Sequence, residues 1–528
     1  MSLRGAPVAL PIPREESRAE LRGPGPKRGS PTSAAGRRRT RLGVALALAA
    51  AFVGALAYSR RLFAPCDDTY IYLVYVKNLL AGRGLTFNGL RVEGFTSPLW
   101  VGLVALAGCL PLELPTAAEL LSAASGLAAL VATYVLGRQS GLPAPRALIA
   151  PALLAVAGDF AFYMGVGLET VLFTALAALV AACTVAGGQH GHRSAAALGA
   201  LVALTILARP EGVLFGGALL AGRRLAGESW RRIAGIAGTA AAILVPVEVA
   251  LRIYYGDWLP NTYYAKSGAG LANLWVGLRY LAAYGRLEWP LLAALAVGLF
   301  VRWRALGRGE LLLAAIAAVW FAQTAVEGGD NMVGFRALLP ILPLLLVLTV
   351  RVSIDLPLRT VALAALFVAI QQIAAYGTWE PLGGAWNESP TQQAEQWRLY
   401  YRFRVEAANF LSRHLGTDAV IAVDPAGVIP YLTGFRTIDM LGLNCRHIAR
   451  EGHRDRGLPF GHQVGDGQWV LAQHPDVILL GSAGRPGPLI FVSDREIAAA
   501  SEFQRDYRPV SMPHWGIAYV RSDSSLFH

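Results

Sequence analysis

The sequence predicts a polytopic α-helical membrane protein of about eleven spans, carrying a small C-terminal extracytoplasmic α/β domain. Three observations predict it. Of 528 residues, 54% are hydrophobic and only 16% charged, whereas an average soluble domain is about 25% charged. Apolar runs recur from residue 42 to residue 376. Arginines gather in every second connection between those runs, the pattern that places basic loops on the cytoplasmic side. Charge this sparse excludes a purely soluble, disordered or nucleic-acid-binding protein.

The chain begins with a basic tail. Residues 1–41 hold ten Lys or Arg and three Glu, which is +7 of the net +12. The Pro/Gly/Ser-rich composition cannot build a core. A basic cluster abutting the run 42–59 holds the N-terminus in the cytoplasm, so the tail reads as topogenic and not as a partner for nucleic acid. Further spans are predicted at roughly 117–137, 146–160, 168–186, 195–207, 211–222, 233–252, 288–303, 310–326, 336–350 and 358–376. The short run 98–110 reads as a half-helix leading into the next span.

With the N-terminus inside, the inner connections carry Arg138 and Arg146, then His190, His192 and Arg193, then Arg223, Arg224, Arg231 and Arg232. Arg302, Arg304 and Arg308 follow, then Arg351 and Arg359. The acids sort the other way. Asp67, Asp68, Glu93, Asp159, Glu169, Glu211, Asp257, Glu288, Glu327 and Asp330 fall in or beside outer loops. Ionisable groups at such span ends face a cavity or a partner, which puts the chemistry on the outer face.

After residue 377 the composition changes. Gln392 to Leu415 reads as an amphipathic helix. Strands are predicted at Val420–Val423, Thr437–Met440, Val477–Leu480 and Leu489–Val492, between Gly/Pro turns. Three domains result: the tail 1–41, a membrane domain 42–376 with its first outer loop at 60–98, and an outer α/β domain 377–528. No repeat supports an inverted-repeat transporter plan. The four cysteines have no C-x-x-C spacing, and His447, His453, His462 and His474 match no metal motif. Asn387-Glu388-Ser389 has the form of a sequon, and its modification is not expected. Only Lys27, Lys77 and Lys266 are lysines.

The first outer loop holds the densest set of chemical groups. Asp67 and Asp68 open a stretch of helical periodicity at 69–81. Negative charge is favoured at that end of a helix, and a carboxylate there suits proton abstraction from a hydroxyl or the binding of a divalent cation. Helix capping is the plainer role for an Asp in this place. The run Asp67-Asp68-Thr69-Tyr70-Ile71-Tyr72 continues to Gly82-Arg83-Gly84-Leu85-Thr86-Phe87-Asn88 and Val92-Glu93-Gly94-Phe95-Thr96-Ser97-Pro98-Leu99-Trp100.

Together these residues resemble the first-loop signature of the family-C membrane glycosyltransferases. They are most similar to its AftB-type terminal arabinofuranosyltransferase branch. Four segments agree in order: Gly167-Leu168-Glu169-Thr170; Arg209-Pro210-Glu211-Gly212; Leu259-Pro260-Asn261-Thr262-Tyr263-Tyr264-Ala265-Lys266; and Gly328-Gly329-Asp330 with Arg336, Pro340 and Pro343. Ala422-Val423-Asp424 to Tyr431 and Ile438-Asp439-Met440-Leu441-Gly442-Leu443 are similar to the same branch.

The resemblance implies transfer of a sugar, arabinofuranose or another pentose or hexose, from a polyprenyl-phosphate carrier. The acceptor it implies is a hydroxyl of an envelope glycan, on the outer face of a bacterial plasma membrane. Matched residue by residue, Asp67 and Asp68 are the implied catalytic pair, one the base and the other its partner or a cation ligand. The resemblance leaves the cofactor open; a divalent Mg or Mn ion would lie on these two. Arg209, Lys266 and Arg336 are implied for the donor phosphate. Glu169, Glu211, Asn261, Tyr263 and Asp330 are implied for sugar or acceptor.

The plainer alternatives are ion pairing of Arg209 and Arg336 with Glu211 and Asp330, and a turn at Pro260-Asn261. The first loop departs from the family in one place: Tyr72-Leu73-Val74 stands where many relatives carry Ser-Phe-Arg. Two alternatives stand beside it: a protein O-glycosyltransferase of the same fold and, fitting less well, a transporter or flippase of lipid-linked sugar.

Overall fold

The computed structural model describes residues 34–186, 194–266, 271–378, 390–458, 461–485, 487–525 and 527. The basic tail over 1–33 and the sequon lie outside the described residues. Contacts divide the chain at Leu46, and Ala47–His528 forms one compact unit.

Helices form at each apolar run. Among the described residues, five are long and apolar enough to cross a membrane: Arg38–Leu62, Leu114–Gln139, Trp230–Tyr255, Arg308–Glu327 and Leu358–Tyr376. Two bent pairs raise the number to seven if each is one span: Ala144–Val156 with Gly158–Gly165, bent by 65°, and Asn273–Leu287 with Trp289–Arg302, bent by 90°. Pro98–Ala107, Thr170–Ala186 and Ala195–Ala208 are shorter apolar helices. The first helix starts at Ala34, inside the predicted tail. The helix Leu271–Leu287 has no counterpart among the predicted spans, because Arg279 and Arg286 break its apolar run.

The C-terminal segment opens with the helix Pro390–His414. Strands β1 (Val420–Val423), β2 (Arg436–Asp439), β3 (His453–Arg454), β4 (Val464–Gly465), β5 (Val477–Leu479), β6 (Tyr507–Ser511) and β7 (Ile517–Arg521) follow. Five of them form a sheet of order β2-β1-β5-β7-β6. Its β2, β1 and β5 run parallel, and β7 and β6 add antiparallel. Successive residues alternate faces. Ala422 and Ile478 enter one apolar cluster, and Ile421, Val423, Val477 and Leu479 the other.

Two strand expectations need correction. Leu489–Val492 is not a strand, since Val492 instead begins the helix Val492–Ala499. The β6–β7 hairpin went unpredicted. Pro509 argues against a strand, yet β6 is an edge strand, where a missing N–H costs no ladder bond.

In a parallel sheet the loops at the carboxyl ends of the strands form the usual ligand crevice. Here those loops meet the first-loop helix Asp67–Leu80. The Lys77 ammonium donates to the Tyr431 carbonyl at 2.7 Å. The Asn88 amide donates to Pro430 and Phe435 carbonyls at 3.1 and 2.9 Å. Tyr75 Oη donates to Asn444 Oδ1 at 2.9 Å, and Gly94 admits this contact because a Cβ there would overlap the Asn444 side chain.

Candidate functional site

The acid pair sits on the first turn of the helix Asp67–Leu80. Cys66, not an Asp, occupies the capping position, without a side-chain cap bond. This corrects the capping alternative and leaves both carboxylates for other contacts. The helix is seated by Thr69, whose hydroxyl donates to the Val166 carbonyl at 2.7 Å, and Trp100 Nε1 donates to the Gly167 carbonyl at 3.1 Å. Gly167 takes a φ of +78°, which an L side chain adopts only with strain. That turn starts the helix Thr170–Ala186 and places Glu169 beside the first loop.

Glu169 and Glu211 grip one guanidinium. Arg209 Nη1 reaches Glu169 Oε1 and Nη2 reaches Glu211 Oε1, both at 2.9 Å. Each carboxylate keeps a buried second oxygen, Oε2, with no hydrogen-bond partner among the described residues. Arg336 holds Asp330 in a two-point pair, Nε to Oδ2 at 2.5 Å and Nη2 to Oδ1 at 3.0 Å. The pairing alternative therefore describes both arginines. Asp330 is buried, which pushes its carboxyl up. The Arg336 charge and bonds, then Lys266 and Arg209, outweigh this and hold it below the usual carboxylate range.

Lys266 ends the short helix Asn261–Lys266. Among the described residues it has no ion-pair or hydrogen-bond partner, which sets it apart from Arg209 and Arg336. Burial, and next the Arg336 charge, lower its pKa, and Asp68 counters them. The Asp68 charge is felt at Arg336 as well. Asp68 itself is half-buried and has no ion pair or hydrogen bond among the described residues. Among the described residues, a carboxylate and an ammonium without ion pair or hydrogen bond thus lie within electrostatic reach of one another, and of Asp330, Arg336 and Arg209.

The other expected site residues lie elsewhere. Asp67 turns away: its Oδ2 accepts from Gly427 N–H at 2.9 Å, its Oδ1 from Val428 N–H at 3.0 Å, and Arg404 Nη1 stands 3.4 Å from Oδ1. A divalent cation held between Asp67 and Asp68 does not fit this donor set, because Asp67 is occupied by N–H donors. Among the described residues no group of three or more His, Cys, Asp or Glu is placed to hold a metal. The Asn261 amide is buried and donates to Gly442 and Leu443 carbonyls at 2.8 and 3.0 Å. Tyr263 is 55% exposed. Pro260-Asn261 opens a helix and not merely a turn.

Several residues near the site went unread in the sequence. Asn331 Nδ2 meets His462 Nδ1 at 2.8 Å, and Gly461 lies against Lys266. Arg404 sits on an amphipathic helix with no local mark. Gly427 carried a usable signal: a glycine between a strand and a helix often exposes backbone N–H groups to an anion.

Residues 391–527 match a family described as a domain of unknown function, DUF8728. The terminal β-(1→2)-arabinofuranosyltransferase of Corynebacterium glutamicum is 31% identical over 328 residues, covering 54% of this chain and 47% of that protein. Its namesake in Mycobacterium tuberculosis is 32% identical over 285 residues, covering 50% and 44%. The chain therefore spans about half the length of the curated relatives it matches. Apo ArnT from Cupriavidus metallidurans superposes with a TM-score of 0.59 at 15% identity, over 93% of this chain and 99% of that one. The same protein bound to undecaprenyl phosphate gives 0.56, over 92% and 99%. The oligosaccharyltransferase AglB of Archaeoglobus fulgidus, in complex with an inhibitory peptide and a dolichol-phosphate, gives 0.51 at 12% identity, over 90% and 74%. Similarity in sequence to the terminal arabinofuranosyltransferases, together with the fold of ArnT, bears out the resemblance to the family-C membrane glycosyltransferases.

Proposed function

We propose that the chain is a membrane glycosyltransferase of the bacterial plasma membrane. It moves a sugar, arabinofuranose or another pentose or hexose, from a polyprenyl-phosphate carrier to a hydroxyl of an envelope glycan on the outer face. One observation carries the reading: Asp68 and Lys266, neither with an ion pair or hydrogen bond among the described residues, lie within electrostatic reach of each other. Asp68 takes the proton of the acceptor hydroxyl as that oxygen bonds to the sugar's anomeric carbon. The bond from that carbon to the phosphate oxygen breaks, and the polyprenyl phosphate leaves with the electron pair. Lys266 meets the growing negative charge, and Arg336 adds to the field from within its pair. The free oxygens of Glu169 and Glu211 accept from sugar hydroxyls.

Support comes from the names of the sequence relatives and from the two neighbours of like fold that hold a polyprenyl phosphate. The orientation, with the N-terminus cytoplasmic and the C-terminal segment outside, rests on the arginine pattern. The test is transfer from polyprenyl-phosphate arabinofuranose to an envelope-glycan acceptor by purified protein. Asp68→Asn is expected to lower kcat by about 10²–10⁴-fold with the fold intact. Wild-type rates in Asp68→Asn would remove the proposed base.

Lys266 also sets the alkaline side. Its lowered pKa means that the ammonium loses its proton at a lower pH than an ordinary lysine. The KM for the lipid donor is expected to rise on the alkaline side of the profile, and Lys266→Arg to shift that rise upward. Donor titrations from pH 7 to pH 10 check this.

A further inference from the structure

The first-loop acids are adjacent in sequence yet point apart. Successive residues of a helix differ by about 100° around its axis. Asp67 is bonded to the C-terminal segment, while Asp68 shares none of those contacts and lies within electrostatic reach of Lys266 and Arg336. We propose that Asp67 is a positioning residue, and that the C-terminal segment serves as the mount for the catalytic carboxylate. The inference rests on the reading of Asp68 as base.

The seat is specific. The Asp67 carboxylate takes two backbone N–H donors, one on each oxygen, and Arg404 reinforces it. Bonds to a charged acceptor are about twice as strong as neutral ones. Gly427 lies so close that a Cβ there would overlap the Asp67 carbonyl. Both donors come from the loop after β1, in the crevice where a parallel sheet otherwise holds a ligand. The same helix is fixed further along by Lys77 on Tyr431 and by Tyr70, whose hydroxyl donates to Tyr401 Oη at 3.1 Å. The carboxylate of the first loop thus fills the anion seat of the C-terminal sheet. The proposed base, Asp68, one residue on, inherits its position from that docking.

Full-length protein in detergent, as wild type, Asp67→Asn, Asp68→Asn and Gly427→Ala, tests this by two readouts. Hydrogen exchange of peptides covering 424–433 needs no activity. It is expected to speed at least tenfold in Asp67→Asn and Gly427→Ala and to stay at the wild-type rate in Asp68→Asn. In transfer assays, Asp67→Asn is expected to lose about 10–100-fold in kcat, with donor KM within about twofold and the acidic limb of the pH–rate profile retained. Asp68→Asn loses that limb. Unchanged exchange in Asp67→Asn, or loss of the acidic limb in Asp67→Asn with retention in Asp68→Asn, overturns the proposal. Arg404→Gln keeps the carboxylate and its backbone donors, so a smaller loss of the same kind is expected even if Gly427→Ala fails to fold. A wild type inactive toward lipid-linked sugars would sink the proposed function, while the exchange arm would still decide whether Asp67 holds the segment.

Discussion

Arg336 and Asp330 couple stability to the proposed chemistry in one ion pair. Both side chains are about nine-tenths shielded from solvent. Removing one partner of such a pair costs about 3–5 kcal/mol, because the other charge is left buried and alone. Arg336→Met is therefore expected to lower the thermal midpoint in detergent sharply. Arg336→Met with Asp330→Leu should recover most of that loss while transfer stays absent. A double variant as unstable as the single one would mean that the pair's geometry, not its charge, holds the loop. Much at this scale was legible in the sequence. Asp68, Glu169, Arg209, Glu211, Lys266, Asp330 and Arg336 could be named from short motifs, and the structure gathers them. Asp67 and Asn261 could be named too, but not their contacts, because those partners lie in residues 427–443, remote along the chain.

At the scale of elements, the loops after the parallel strands carry a second tension. Asp424, just past β1, is buried beside Asp494 of the helix Val492–Ala499, and neither Asp424 oxygen has a hydrogen-bond partner among the described residues. Burial first, and the Asp494 charge second, push the Asp424 carboxyl far above the usual range. Burial likewise pushes Asp494 up to about 6. Asp439 adds repulsion, Arg404 relieves it, and Gly481 N–H donates to Asp494. Raised folded-state values mean that the stabilisation is present at low pH and lost as pH rises through about 6. The full chain is expected to melt at lower temperature at pH 8 than at pH 5. Asp424→Asn, which puts an amide donor against Asp494, should flatten that slope and add about 2 kcal/mol at pH 8. A slope unchanged by the substitution would assign it to other groups. Elements were read well where one signal ruled. β1 and β5 alternate cleanly between two apolar clusters, and the long apolar runs are helices. They were read poorly where signals conflicted, as at Pro509 on an edge strand, or Leu489–Val492, whose last residue enters a helix.

For the whole molecule, the cysteines offer a test of orientation. Cys66, Cys183 and Cys445 are buried, and Cys109 is exposed. Burial also pushes the Cys445 thiol up to about 12, which keeps it unreactive. The proposed orientation puts Cys109 outside. A membrane-impermeant maleimide added to intact cells is expected to label one site per chain, at Cys109, with no second site on gentle lysis. Labelling that needs lysis would invert the topology and move the proposed site to the cytoplasmic face. The span count shows the limit of composition as a guide. Helices such as Thr170–Ala186 are apolar but short, and the bends of 65° and 90° arise where Gly158 and Pro290 open new helices.

The seat of Asp67 on Gly427 joins residues 360 positions apart. Synthesis proceeds at about 5–20 residues per second, so roughly 20–70 s separate the making of the carboxylate from the making of its seat. Through that interval the first loop is already being made while its mount does not exist. On the proposed role of Asp67, transfer waits until β5, β6 and β7 close the sheet, and a chain released before residue 477 carries every membrane motif yet lacks that mount.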